Sequence, residues 1–284
     1  MPDLALTLSE VLAEGRARLA EAGVLEPARE VLRLWADLTD EQPARALLDR
    51  TRQVDPAVAA KFMDGVGRRA EGEPLAYVTG WIGFRRLELR IDRRALIPRP
   101  ETEGLVDLVL ERVPEGRVAD LGTGSGCIAL SLATEGRYEL VLGIERSEDA
   151  LALAGENRRL TGAAATLIRG DLLSGITPGS LDAVVSNPPY ITDREYAELD
   201  PSVRGWEPRE ALVSGPDGLD ATVRLLDEAR RVVRPRGWLM VEVDAGRAAA
   251  AAALARGLGW GAVELRVDLF GRERYLLARR SDRP

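Results

Sequence analysis

Asn187, Pro188, Pro189 and Tyr190 follow an apolar run and are the residues of this chain best suited to chemistry. The two prolines fix the backbone and remove two N–H donors, so the carbonyl groups before them stay free to face a ligand. The Asn187 side-chain oxygen and the Pro188 carbonyl can then accept both hydrogens of a planar –NH2 group. The flat face of Tyr190 can stack on the same group. The segment therefore predicts a site that holds an amide-like nitrogen.

Such a site would make a poor nucleophile reactive. The lone pair of an amide nitrogen is delocalised, and two oriented acceptors favour a pyramidal nitrogen whose lone pair points at an incoming methyl carbon. Oriented polar groups of this kind contribute about 10²–10³ in rate, and alignment adds more. A methylated amide nitrogen is acidic enough to lose its proton to water, so no general base is required. The alternative is a rigid turn that only closes a strand.

A second segment leads from a predicted strand through a glycine-rich turn into a predicted helix. The turn residues are Gly122, Thr123, Gly124, Ser125 and Gly126. Glycines let the backbone approach a ligand closely, and a helix N-terminus supplies unpaired N–H groups. The dinucleotide fingerprint needs a glycine at position 127, where Cys127 stands. Asp120, just before the turn, instead favours the ammonium group of a methionine moiety; a tight turn without a ligand is the remaining alternative.

Two acidic residues follow the next two predicted strands. Glu145 lies about 20 residues past the glycine turn, where an acid accepts hydrogen bonds from both ribose hydroxyls. Asp171 can accept from an adenine amino group, while the backbone beside it, at Leu172, meets the ring. Glu145 could instead lie in a solvated charged loop, and aspartate is common in turns for local reasons. Their order after the glycine turn favours the nucleoside interpretation.

The elements that position these residues alternate between strand and helix from about residue 104 onward. Predicted strands cover residues 117–121, 140–144, 166–168, 183–186, 238–243, 263–267 and 274–277. Such alternation implies a mostly parallel sheet with helices on both faces. A short turn around Phe270 and Gly271 joins the last two strands, so the final strand is expected to be antiparallel. The predicted fold class is α/β, with a Rossmann-like seven-stranded sheet.

The first part of the chain predicts helices instead. Thr7 and Glu10 have capping-box spacing, and further helices are expected from Pro27 and after Asp55. We expect a helical domain over residues 1–72, a linking β-hairpin over 73–97 that includes Tyr77 and Val78, and a second domain over 98–284. Residues 191–217 form a long polar connection, which we interpret as a flap that orders around substrate.

Composition narrows the class of protein. The net charge of −7 disfavours a surface that grips a nucleic-acid backbone, although it leaves room for a local basic patch. Histidine is absent and Cys127 is the only cysteine. This excludes a Ser-His-Asp triad and predicts that there is no metal site. With no apolar run of about 18 residues and no export signal, we expect a cytoplasmic protein.

Several segments together point to a known family. They are Glu73-Pro74-Leu75-Ala76-Tyr77, Leu96-Ile97-Pro98-Arg99-Pro100-Glu101-Thr102-Glu103, the glycine turn, Asn187-Pro188-Pro189-Tyr190, Trp206-Glu207-Pro208 and Gly215-Pro216-Asp217-Gly218-Leu219. Through them, residues 73–279 resemble the protein-glutamine N5-methyltransferases that modify bacterial peptide-chain release factors. The Asn-Pro-Pro-Tyr signature alone is shared with adenine-N6 DNA methyltransferases. The Pro-Arg-Pro-Glu-Thr and Glu-Pro…Asp-Gly-Leu segments are far more specific to the glutamine family.

The resemblance implies a class I enzyme that transfers a methyl group from S-adenosylmethionine to the glutamine of a release factor's Gly-Gly-Gln loop, leaving S-adenosylhomocysteine. The helical domain and hairpin would dock the release factor, and we expect a monomer without a membrane or sequence-specific nucleic-acid partner. The implied cofactor contacts are Asp120, Gly122, Thr123, Gly124, Ser125, Gly126, Glu145, Asp171, Leu172 and Asn187. The implied catalytic segment is Asn187, Pro188, Pro189 and Tyr190.

Two positions depart from the family pattern. The ribose acid is more often aspartate, whereas Glu145 stands here; its longer arm should still reach. Near the C-terminus the family tends to have Glu-x-Gly, whereas this chain has Glu242-Val243-Asp244, and no role is assigned there.

Four other functions stay open at this point. A paralogous branch of the family methylates a glutamine in a ribosomal protein. An adenine or cytosine amino-methyltransferase would flip a base into the same pocket, although the net charge and the lack of an evident target-recognition insert argue against it. A catalytically silent binding module would not need an intact Asn187–Tyr190 segment. A dehydrogenase conflicts with the glycine spacing.

Overall fold

The computed structural model describes residues 6–41 and 43–282, which form two compact units. The first unit contains the described residues up to Trp81 together with Asp200–Trp206. The second contains Ile82–Leu199 and the described residues from Glu207 onward.

The helices and strands are as follows in chain order. The helices are α1 (Leu8–Glu21), α2 (Pro27–Thr39), α3 (Pro43–Leu48), α4 (Pro56–Ala70), α5 (Leu75–Thr79), α6 (Pro100–Arg112), α7 (Cys127–Glu135), α8 (Glu148–Thr161), α9 (Asp193–Glu198), α10 (Pro201–Arg204), α11 (Asp220–Val232) and α12 (Ala248–Gly257). The strands are β1 (Trp81–Phe84), β2 (Leu87–Arg90), β3 (Glu115–Leu121), β4 (Arg137–Glu145), β5 (Thr166–Arg169), β6 (Leu181–Ser186), β7 (Val233–Glu242), β8 (Ala262–Val267) and β9 (Glu273–Arg279). A short 3₁₀ turn covers Arg209–Ala211. No helix of residues 6–41 and 43–282 is long and apolar enough to cross a membrane.

Helices α1, α2 and α4 pack around the apolar core of the first unit. The predicted capping box is present, because the Thr7 side chain accepts from the Glu10 N–H while the Glu10 carboxylate accepts from Thr7. Asp55 caps α4 in the predicted way. Trp35 and Phe62 meet edge to face in this core, with ring centroids 5.3 Å apart, a geometry that aromatic pairs prefer.

The prediction of paired strands is wrong at Tyr77 and Val78, which lie in α5. Pro74 stands at the N-cap of this helix and Gly80 ends it with φ of +79°, as a left-handed C-cap does. Both side chains are 4% exposed, and Val78 packs with the helical core of the first unit. Burial thus overrides the β-propensity of these residues. The hairpin is limited to β1 and β2, and the two units separate between Trp81 and Ile82 rather than at residue 72.

A seven-stranded sheet forms the centre of the second unit, with the strand order β5-β4-β3-β6-β7-β9-β8. The pairs from β5 to β7 are parallel, whereas β9 is antiparallel to both of its neighbours. The predicted fold and the antiparallel last strand are therefore confirmed. All seven strands extend beyond the predicted limits at one end or both, because apolar periodicity marks only their buried middle.

The parallel strands bring their carboxyl ends to one edge of the sheet. Leu121 at the end of β3 lies opposite Ile144 of β4 and Ser186 of β6. The residues that follow these three positions are Gly122, Glu145 and Asn187. Ligands of open α/β sheets bind outside this edge, so the fold places the predicted site residues where a ligand would be.

Asn157, on α8, connects three segments near this edge. Its Oδ1 accepts from the Arg90 N–H at 2.7 Å. Its Nδ2 donates to the Arg90 carbonyl at 3.0 Å and to the Ser125 carbonyl at 2.9 Å. The side chain is fully buried. One amide therefore holds the end of β2 and the glycine turn against α8.

We expect Asn157→Ala to lower the free energy of unfolding by about 1.5–4 kcal/mol, because it removes three hydrogen bonds of a buried side chain and each contributes about 0.5–1.5 kcal/mol. Urea denaturation monitored by circular dichroism measures the change. Arg159→Ala, on the exposed face of the same helix, is the matched control and should change stability by less than about 0.5 kcal/mol. Equal effects of the two substitutions would contradict this role of Asn157.

Candidate active site

The glycine turn after β3 is shaped by its hydrogen bonds to β4. The N–H groups of Gly122 and Thr123 both donate to the Ile144 carbonyl, at 2.8 and 3.1 Å. Gly122 and Gly124 have φ of +69° and +56°, a backbone conformation that residues other than glycine rarely adopt. A Cβ at Gly122 would meet no atom within 4 Å, and one at Gly124 would meet only a carbonyl at 3.9 Å. The space above the turn is therefore open to a ligand.

Asp120, the last residue but one of β3, is fully buried below this turn. Its Oδ2 accepts from the Thr123 hydroxyl at 2.5 Å and from the Ala129 N–H at 3.1 Å. Its Oδ1 is one of the few buried side-chain atoms of the described residues that have no hydrogen-bond partner. Burial raises the pKa of Asp120 to about 7, against the opposing effect of the two hydrogen bonds. A cationic group at Oδ1 would stabilise the carboxylate, which is what an ammonium group requires.

Glu145 ends β4 and lies against the same turn. Its Oε2 accepts from the Gly124 N–H at 2.9 Å, and its Oε1 accepts from the N–H groups of Arg146 and Ser147 at 2.8 and 2.9 Å. These three bonds hold the carboxylate in one place, and of its four lone-pair sites the one that remains for a further donor is on Oε2. The glutamate arm thus reaches the glycine turn, and its contact with a ribose stays a prediction.

Asp171 and Leu172 follow β5, at the edge of the sheet. The Asp171 side chain is exposed and accepts from the Arg224 guanidinium at 3.0 Å. Leu172 has φ of +53°, which is uncommon for a residue other than glycine and marks local strain. An adenine amino group would share the Asp171 carboxylate with Arg224. The adenine role of both residues stays a prediction.

Asn187 leaves the end of β6 in a defined orientation. The Ser186 hydroxyl donates to the Leu121 carbonyl at 2.7 Å, which ties the end of β6 to the end of β3. The Asn187 Nδ2 donates to the Thr102 hydroxyl at 3.1 Å. Because the amide nitrogen is used in this way, Oδ1 is the atom that Asn187 can offer to a ligand as an acceptor.

Tyr190 lies within three residues of Asn187 and keeps its phenol neutral. Burial raises its pKa to about 12, and the nearby Glu242 carboxylate acts in the same direction. A neutral ring suits stacking on a planar amide. Pro188 is buried, whereas Pro189 is partly exposed.

The sequence analysis gave no role to several residues that the structure places beside this segment. Arg99 pairs with Glu207 at 2.6 Å, and the other Glu207 oxygen accepts from the Ile97 N–H at 3.1 Å. Thr102 accepts a hydrogen bond from Asn187, and Glu242 accepts one from Thr102. The segments 96–103 and 206–208 were the available signal, since both carry the family resemblance, but the sequence does not show what they contact.

The connection 191–217 is more ordered than a flap without secondary structure would be. It contains α9, α10 and the 3₁₀ turn Arg209–Ala211. Its base is closed by hydrogen bonds from the Ile191 N–H to the Leu212 carbonyl and from the Ser214 N–H to the Ile191 carbonyl, at 2.9 and 2.8 Å. Closure around a substrate stays a hypothesis for this connection.

Two family models match the chain. The methyltransferase small domain matches residues 101–199, and the PrmC N-terminal domain matches residues 10–80. Among solved structures, a methyltransferase from Pyrococcus furiosus has a TM-score of 0.53 at 18% identity, covering 69% of this chain and 89% of its own. The hMettl16 catalytic domain in complex with the MAT2A 3′UTR hairpin 6 has a TM-score of 0.58 at 16% identity, covering 88% and 93%. At these identities the likeness shows the fold alone.

Curated proteins are much more similar in sequence. The release factor glutamine methyltransferase of Deinococcus radiodurans is 39% identical, over 97% of this chain and 99% of its own length. The protein of the same name from Moorella thermoacetica is 41% identical, over 98% and 100%. The match runs over nearly the whole of each chain, so it includes the helical region as well as the sheet. The resemblance drawn from the sequence is confirmed: the chain belongs to the release factor glutamine methyltransferases, enzymes that use S-adenosylmethionine.

Proposed function

We propose that this enzyme transfers a methyl group from S-adenosylmethionine to the side-chain amide nitrogen, N5, of the glutamine in the Gly-Gly-Gln loop of peptide-chain release factors. The observation that carries the proposal is the orientation of Asn187, whose Nδ2 donates to Thr102 and whose Oδ1 is left to accept. An acceptor next to the Pro188 carbonyl suits an –NH2 group. Membership of the family supports the choice of a glutamine amide and of a release factor.

The residues around the glycine turn fit the cofactor. Asp120 Oδ1 is buried and lacks a partner among the described residues, which suits the ammonium group of the methionine moiety. The open space above Gly122 and Gly124 allows close approach to the backbone. Glu145 would accept from the ribose through Oε2, and Asp171 with the Leu172 backbone would meet the adenine. When bound, the cofactor supplies a methyl group on a positively charged sulfur.

The protein residues of the substrate side then orient the nitrogen. Asn187 Oδ1 and the Pro188 carbonyl accept the two amide hydrogens, Pro189 keeps the segment rigid, and Tyr190 stacks on the amide plane. The amide lone pair is directed along the line of the transferred methyl group. The new N–C bond forms as the S–C bond breaks, and the nitrogen then loses one proton to water. S-adenosylhomocysteine and N5-methylglutamine are the products.

The proposal extends to the setting in which the enzyme acts. The helical unit and the hairpin would dock the release factor, the enzyme would act as a monomer without a sequence-specific nucleic-acid partner, and it would work in the cytoplasm. The family membership supports the protein substrate. The net charge of −7 supports a protein surface rather than a phosphate backbone as the partner.

Methyl transfer from labelled S-adenosylmethionine tests the activity. Unmodified release factor should take up label, whereas the same factor with its Gly-Gly-Gln glutamine replaced, unmethylated DNA and unmethylated ribosomal protein should not. Asn187→Ala should reduce kcat by about 10²–10³, the usual cost of losing an oriented polar group, while binding of S-adenosylmethionine persists. If only DNA took up label, or only ribosomal protein did, that molecule would be the substrate and the proposal would be wrong.

The pH dependence of cofactor binding tests Asp120. Its pKa is raised to about 7 in the free protein, and an ammonium partner favours the ionised form, so affinity should rise by up to about tenfold per pH unit below pH 7 and level off above it. The same raised pKa makes the free protein lose stability as the pH rises from the ordinary aspartate pKa of 3.8 to about 7. Calorimetric titration between pH 5.5 and 7.5 measures the affinity. Asp120→Asn should bind about tenfold or more weakly at pH 7.5 and show no such rise; parallel profiles for the two proteins would refute the assignment.

A further inference from the structure

We propose that Thr102 and Glu242 are positioning residues that hold the Asn187 amide with its oxygen toward the substrate. The inference rests on the proposed function, because it explains how the acceptor of the substrate amide is kept in place. It gives a role to the threonine of the Pro-Arg-Pro-Glu-Thr segment and to the acid near the C-terminus.

The three side chains form one directed chain of hydrogen bonds. The Asn187 Nδ2 donates to Thr102 Oγ1 at 3.1 Å, and the Thr102 hydroxyl donates to Glu242 Oε2 at 2.7 Å. Thr102 is 2% exposed and Glu242 is 1% exposed. Burial protects both bonds from exchange with water, so the direction in which they run is set by the groups themselves.

The direction follows from what each group can donate. An ionised carboxylate only accepts, so the Thr102 hydroxyl proton must point to Glu242. Thr102 Oγ1 can then only accept from Asn187, so the Asn187 –NH2 group must be the donor. The asparagine oxygen is left for the substrate. A reversed amide would present N–H donors to the –NH2 group of glutamine and could not hold it.

The three residues are fixed on elements that cannot shift independently. Thr102 lies in the first turn of α6, where the Tyr275 hydroxyl donates to the Glu101 carbonyl at 2.6 Å. Glu242 ends β7 and pairs across the sheet with Tyr275 of β9. Strand β7 is also the parallel neighbour of β6, from which Asn187 emerges. The same sheet edge therefore sets the spacing of all three side chains.

The charge of Glu242 is balanced by groups from each element packed around it. Arg274 of β9 and Arg99 before α6 favour the carboxylate, as does the bond from Thr102. Burial and Glu101 of α6 oppose it, and burial dominates, so the pKa of Glu242 is raised to about 7. Tyr190, Tyr275 and Cys127 lie close enough for Glu242 to raise their pKa values. Protonation of Glu242 would let it donate to Thr102, and the bonds would no longer select one amide orientation.

Substitutions at Thr102 separate the hydroxyl from the volume of the side chain. Thr102→Val should lower kcat on release factor by about 10²-fold, with the affinity for S-adenosylmethionine unchanged within about threefold. Thr102→Ser keeps the hydroxyl and should retain kcat within about threefold. Thr222→Val, at a threonine on α11 that is 1% exposed, is the matched control and should retain kcat. A wild-type kcat in Thr102→Val, or equal losses in the valine and serine variants, would overturn the proposal.

The pH profile of kcat isolates Glu242. At saturating S-adenosylmethionine, where Asp120 no longer limits binding, the wild-type enzyme should lose kcat as the pH falls through about 7. Glu242→Gln does not titrate, so its kcat should be lower but independent of pH between 5.5 and 8. An unchanged acidic limb in Glu242→Gln would show that another group is responsible.

A readout that does not depend on turnover uses the rarity of asparagine. The chain contains two asparagines, Asn157 and Asn187, so protein labelled with ¹⁵N-asparagine gives two side-chain amide signals, which Asn157→Ala assigns. The Asn187 signal should move in Thr102→Val and should titrate with Glu242 in the wild type but not in Glu242→Gln. If the chemical shift of the Asn187 amide did not change under these conditions, the inference would be overturned, even in an active enzyme. A wild-type protein that methylates no release factor but shows these shifts would instead refute the proposed function alone.

Discussion

The parallel pairing of β3 with both β4 and β6 is the constraint on which the site depends. Leu121 has Ile144 on one side and Ser186 on the other. Because the three strands run in the same direction, each chain leaves the sheet at the same level, and Gly122, Glu145 and Asn187 begin the connections that follow. A shift of one residue in either register would turn the last side chains of that strand to the opposite face. The backbone hydrogen bonds of the sheet thus bring the candidate site residues together at one edge.

Three carboxylates near this edge have different surroundings, and the differences suit different tasks. Glu145 accepts three backbone N–H groups and stays partly exposed. Asp120 and Glu242 are buried, and the pKa of each is raised to about 7. A buried carboxylate is costly unless it is paired or hydrogen-bonded. Asp120 has one oxygen without a hydrogen-bond partner among the described residues, whereas Glu242 accepts from Thr102 and lies near Arg274. The unfavourable burial of these two carboxylates is thus found at the edge of the sheet that carries the candidate site.

The two asparagines perform related tasks in different places. Asn157 uses both ends of its amide to hold the Arg90 backbone, and its nitrogen also reaches Ser125 of the glycine turn. The Asn187 nitrogen donates to Thr102, and its oxygen is the acceptor that we propose for the substrate amide. A fully bonded amide gives rigidity, and a half-bonded amide gives a directed acceptor. Both depend on partners that are distant in sequence, which explains why neither role follows from composition.

The sequence by itself determined the features that depend on neighbouring residues. The capping box at Thr7, the strand–turn–helix around Gly122 and the Asn187–Tyr190 segment after an apolar strand are all local patterns, since each reflects the backbone preference of a few adjacent residues. The alternation of strands and helices extended this to the fold class. The family resemblance added what single residues could not, namely the substrate and the cofactor.

Only the tertiary structure decided which distant residues meet. Tyr77 and Val78 have strand-like side chains, yet they lie in a helix because the core of the first unit buries them. Thr102 meets Asn187 across 85 positions and Glu242 across 140. Such contacts follow from the order of strands in the sheet and from the packing of α6 on it, and no local preference encodes that order. The chain thus specifies its chemical groups locally, and the fold decides how they are oriented.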